Sequence, residues 1–116
     1  MTYTNVSPTR LTTSPVALST NIKQVYTCPA STSIKITAAT ATNTTSSPTS
    51  ITVYLVSAGS SPQVANQVVS GQTISANGSY AISELLNHIL HPGDSLYGLV
   101  PTSGAVNLNI SGVAFN

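Results

Sequence analysis

Apolar and polar residues alternate along three stretches of the chain, and a period of two predicts β-strands. In Ser33–Ala41, Ile34, Ile36 and Ala38 fall on one face, with Lys35, Thr37 and Ala39 on the other. Ser50–Ser57 alternates Ile51, Val53 and Leu55 with Thr52, Tyr54 and Val56. Both of its faces are partly apolar, as expected of a strand interior to a sheet. Val106, Leu108 and Ile110, continuing to Gly112, alternate with Asn107, Asn109 and Ser111, the pattern of a half-buried strand. Shorter strands are expected at Lys23–Cys28, Gln67–Val69, Gln72–Ser75 and Ser95–Val100. Ile36, Val53, Leu55, Leu108 and Ile110 are the expected core.

Turn chemistry separates these stretches. Thr42–Pro48 and Ala58–Pro62 are small-polar and Gly/Pro clusters that read as loops. Asn77-Gly78 and Pro92-Gly93-Asp94 are tight turns, because Gly accepts a positive φ. Short strands punctuated in this way predict an all-β fold, an antiparallel β-sandwich of jelly-roll type over residues 21–116. One segment breaks the period. Ala81–Leu90 places Ile82, Leu85, Leu86 and Ile89 at the spacing of an amphipathic helix, either a full short helix or just a turn, expected to cap one end of the sandwich. Residues 1–20 alternate weakly and are cut by Pro8 and Pro15. They read as an extended arm, lying either on a neighbouring subunit or along an edge of the chain's own sheet. As an arm used in assembly, they could be deleted with the sandwich left folded.

Composition changes the picture. The 116 residues include three Lys or Arg and two Asp or Glu, so charged side chains are 4% of the chain against roughly 25% in ordinary domains. Ser and Thr, roughly 30% of the residues, do the solvating instead. A net charge near zero invites association, which suits a protein that lives against copies of itself or a larger assembly. Three scattered cations cannot form the basic face that nucleic acid needs. The longest apolar runs fall far short of a membrane span, and the start has neither the basic nor the apolar region of a signal peptide. The chain therefore reads as made and used from the cytoplasm. Trp is absent and Phe occurs once, so Tyr3, Tyr26, Tyr54, Tyr80, Tyr97 and Phe115 are the large packing pieces. The single cysteine, Cys28, has no disulfide partner in the chain and no Cys-His signature around it, and reads as a small buried hydrophobe. Asn-x-Ser/Thr occurs at Asn5, Asn43, Asn77 and Asn109, as chance allows in so hydroxyl-rich a chain.

The titratable side chains that cluster are Glu84, His88, His91 and Asp94. On a helix, Glu84, His88 and His91 would share one face, a spacing able to hold zinc. Against this, His91 precedes Pro92, which pushes it out of helical geometry, and no His-Glu-x-x-His order supplies a general base. There is no Gly-x-Ser-x-Gly elbow and no phosphate loop. Glu84 and Asp94 sit on a short cap and its turn, a poor frame for a glycosidase pair. No catalytic, cofactor-binding or metal-ligating residues are expected, and no enzyme activity.

Ile34-Lys35-Ile36-Thr37-Ala38 through Asn43-Thr44-Thr45, then Ile51-Thr52-Val53-Tyr54-Leu55-Val56, resembles small virion structural proteins of tailed bacteriophages. The resemblance continues through Ala81-Ile82-Ser83-Glu84-Leu85-Leu86-Asn87-His88-Ile89-Leu90, Pro92-Gly93-Asp94-Ser95-Leu96 and Ser111-Gly112-Val113. It covers roughly Lys23 to Phe115 and leaves the arm aside. It implies a β-sandwich in the virion with no catalytic residues to carry over. The favoured expectation is a capsid decoration (cement) protein, assembled in the host cytoplasm. Its partners would be the major capsid protein and copies of itself, most plausibly as a homotrimer, with no nucleic acid and no membrane. The alternative is a tail, neck or fibre component or a host-surface-binding module. A secreted carbohydrate-binding module is disfavoured by the missing Trp and signal peptide.

Overall fold

A computed structural model describes residues 5–12 and 16–116. Two antiparallel sheets pack face to face around one core, the β-sandwich that the alternation predicts. The first sheet holds β1 (Val6–Arg10), β10 (Val106–Phe115), β4 (Ser33–Asn43) and β7 (Ser79–Ala81) in that order. Two short strands complete it: β2 (Val16–Ala17) on β10 and β8 (Ile89–Leu90) on β4. The second sheet runs β3 (Lys23–Thr27), β9 (Ser95–Leu99), β5 (Thr49–Val56), β6 (Gln67–Ile74). The doubly apolar β5 is an interior strand. The two expected strands at Gln67–Val69 and Gln72–Ser75 are one, β6, bent where Gly71 takes a φ of 64°.

In β4 the expected faces hold only halfway. Ile34 and Ile36 point into the core, but beyond them it is Ala39 and Ala41 that are buried, not Ala38. The cause is a β-bulge: Ile36 pairs with Gly112 and Ala38 with Ser111, which leaves Thr37 without a partner and shifts the alternation by one. Gly112 makes room for it, since a Cβ there would stand 2.5 Å from the Lys35 carbonyl oxygen.

Ile36, Val53, Leu108 and Ile110 are at most 1% exposed. Leu55 is half-buried at the margin of the core, because it lies near the end of β5, while its neighbours Tyr54 and Val56 are buried under the other face. Leu108→Ala should therefore cost roughly 2–5 kcal/mol. Leu55→Ala should cost clearly less in the same urea melts.

The expected helix at Ala81–Leu90 is not formed. The segment is the end of β7, a single 3-10 turn at Ser83–Leu85, and β8. Apart from the bonds of the turn itself, its backbone serves the edge of β4. Ile82 N–H donates to the Ala39 carbonyl at 2.9 Å and Asn87 N–H to the Ile36 carbonyl at 2.8 Å, while Ile36 N–H donates to the His88 carbonyl at 3.0 Å. A helix would satisfy these groups internally and leave the β4 groups bare. Asn87, at φ 68°, turns the chain back to the edge. The apolar stripe splits accordingly. Ile82 and Leu85 are buried, whereas Leu86 and Ile89 are 39% and 42% exposed.

The described part of the arm lies along the chain's own sheet. β1 pairs with β10 from Val6–Phe115 to Arg10–Ser111. Leu11 and Leu18 join the core, and Thr12 Oγ1 accepts the Ile110 N–H at 3.0 Å. Leu18 fills the space beside Gly98 in β9, where a Cβ would meet its Cδ2 at 2.8 Å. The sheet edges are blunted: β1 by Pro8, β3 and β6 by irregular pairing, and the β7–β8 edge by the 3-10 turn.

Candidate functional site

The four clustered titratable groups do not form a site. Without the helix, Glu84, His88 and His91 share no face. Glu84 accepts the Tyr80 hydroxyl at 2.5 Å, and that hydrogen bond lowers its carboxyl from the usual range while pushing the Tyr80 phenol up to about 12. Asp94 is a loop staple. One oxygen accepts the Ala58 N–H and the other the His91 N–H, each at 3.0 Å. His91 is exposed and His88 half-buried. Among the described residues no three His, Cys, Asp or Glu side chains are placed to share a metal ion. Cys28 is 2% exposed and packed in the core, its thiol 3.2 Å from the Thr32 carbonyl oxygen. Burial, then the nearby Asp94 charge, pushes its pKa up, which disfavours the reactive thiolate.

What the fold does assemble is a surface on the outer face of the four-stranded sheet. Strand register places Gln24 of β3 beside Tyr97 of β9, Tyr97 beside Tyr54 of β5, and Tyr54 beside Gln67 of β6. This row of amides and phenols crosses all four strands. Tyr54 is 5% exposed, and its hydroxyl accepts from Gln67 Nε2 at 3.3 Å. Tyr97 is half-buried and makes no hydrogen bond through its hydroxyl to a described residue. At one end of the face, Gln24, Thr27 and Ser95 are joined by side-chain hydrogen bonds.

Two residues along the strands, Leu99 pairs with Thr52 in the direction away from Ser95. There an open groove of about 280 Å³ is lined by Thr20, Ser50, Thr52, Leu99, Val100 and Pro101. No charged side chain lines it. The spacing of these residues in sequence gives no sign of the row; only the pairing of four strands reveals it.

A second groove, of about 360 Å³, lies on the first sheet at the Thr37–Gly112 bulge, between Pro8 and Arg10 on one side and Ser111 and Val113 on the other. Lys35, paired with Val113, stands on the same face. Among the described residues no helix is long and apolar enough to cross a membrane. Comparison of the chain with protein-family models, with curated proteins and with solved structures found no match.

Proposed function

We propose that the protein is a non-enzymatic structural component of a tailed-bacteriophage virion, a decoration protein that binds where major capsid subunits meet. The observation that carries this reading is a two-sheet module with almost no charge and with blunted edges. Blunted edges disfavour strand-to-strand growth, and the lack of charge removes electrostatic repulsion between copies. Association then falls to the sheet faces and loops, through apolar contacts and hydroxyl and backbone hydrogen bonds. Many weak copies on one shell would add up to firm attachment against the pressure of packaged DNA. A homotrimer at the three-fold positions of the shell fits this arrangement.

The test is binding of the purified protein to shells that lack it. Saturable binding is expected, with affinity that changes less than about threefold between low salt and roughly 1 M salt, because screening weakens chiefly charge–charge contacts. Affinity that collapses with salt would contradict a charge-poor interface. Absence of binding would contradict the shell reading itself.

A further inference from the structure

We infer that the outer face of the four-stranded sheet binds a neutral oligosaccharide, with the Tyr97 ring and the adjoining groove as the contact surface. This goes beyond placement on a shell and does not depend on it. The chemistry decides the ligand class. A sugar ring presents a patch of C–H groups to one side and hydroxyls around its rim. The face offers the same two things: a half-buried Tyr97 with Leu99 and Pro101 as apolar surface, and the hydroxyls of Thr20, Ser50 and Thr52 around them. Tyr97 and Leu99 lie on the same side of β9 about 7 Å apart, which places Tyr97 next to a residue that lines the groove.

Hydrogen-bonding capacity is to spare. The hydroxyls of Tyr97, Ser50 and Thr20 bond to no described residue. That of Thr52 accepts the Gly71 N–H at 3.1 Å and still has its proton to donate. The Gln67–Tyr54 hydrogen bond fixes the floor beside Tyr97.

Anionic ligands fit less well. Phosphate or nucleic acid would need cations, and none lines the groove. A protein contact, which the sheet faces can also make, is distinguished by the concentration dependence of the NMR shifts. The missing Trp argues against sugar binding only so long as no other aromatic ring reaches the surface, and Tyr97, half-buried on the outer face, does.

The test is ¹⁵N NMR titration of the purified protein with cellohexaose, maltohexaose and mannohexaose, and with a heparin-derived hexasaccharide as the anionic counterpart. At least one neutral hexasaccharide should shift the amides of Thr52, Tyr97 and Leu99. Tyr97→Ala should weaken that binding about tenfold, the loss of one aromatic contact. Should Tyr97→Ala fail to fold, Tyr97→Leu keeps the apolar bulk without the ring and should show the same loss. Ser50→Ala should weaken it severalfold with the melting temperature unchanged. The inference is overturned by no shifts with any neutral hexasaccharide, by shifts that map elsewhere, by tighter binding of the heparin fragment, or by binding that Tyr97→Leu and Ser50→Ala leave intact. Shifts at these residues that depend on protein concentration alone would make the face a self-contact and overturn it too. None of these outcomes bears on binding to shells, which is measured separately.

Discussion

A chain lacking residues 1–20 should fail to fold to the native sandwich. The deletion removes β1 and β2, and with them the pairing that covers one side of β10. It also removes Leu11 and Leu18 from the core and leaves the Ile110 N–H without the Thr12 hydroxyl. Truncating one buried Leu to Ala costs roughly 2–5 kcal/mol. Losing two, together with two strands, matches the ~5–15 kcal/mol that holds a typical domain together. Circular dichroism of the truncated protein should lose its strand signal or its cooperative melt. An unchanged melt would mean that the segment is a separable arm, as its weak alternation suggests.

The second large effect is expected at Asn43. This side chain is 0% exposed at the end of β4. Its Nδ2 group donates to the carbonyls of Ser47, Ser75 and Ile74 at 2.8, 3.1 and 3.3 Å, and its Oδ1 accepts the Thr45 N–H and hydroxyl at 3.0 and 2.8 Å. One amide thus joins the β4–β5 loop, which connects the two sheets, to the end of β6 in the second sheet. Asn43→Ala would leave the buried Ile74 carbonyl and the part-buried backbone groups of Ser47, Ser75 and Thr45 without this partner, at about 1–3 kcal/mol for a group kept from water. A loss of roughly 3–5 kcal/mol in urea melts is expected, with Asn109→Ala, an exposed site, within about 0.5 kcal/mol of the parent. Equal melts for the two variants would rule out the clamp. The same burial keeps the Asn43-Thr44-Thr45 tripeptide from serving as a glycosylation site in the folded protein.

β10 is legible in sequence because burying one face of a strand imposes a period of two, and β5 because both of its faces carry apolar residues. The Asn77-Gly78 turn forms as expected, but it is Asn77, at φ 53°, and not Gly78 that takes the positive φ, a conformation that Asn tolerates. Features that depend on a distant partner are not legible. The shift at Thr37 follows from Gly112, far along the chain, and nothing within Ser33–Ala41 announces it. Ile82, Leu85, Leu86 and Ile89 have helical spacing, yet the open edge of β4 offered their backbone better partners than a two-turn helix could. Residues 6–10 carry little apolar mass because they form an edge strand, and their partner β10 is at the opposite end of the chain. The row from Gln24 to Gln67 is assembled from four separate strands, so no local motif marks it.

The most direct measurement of the proposed role is the composition of tailed-phage particles purified from the source of the chain. Quantitative mass spectrometry should find it in copy numbers comparable with the major shell subunit, as expected of a protein seated at repeated shell positions. Presence only at the copy number of a single neck or tail ring, or absence from the particle, would contradict a decoration role.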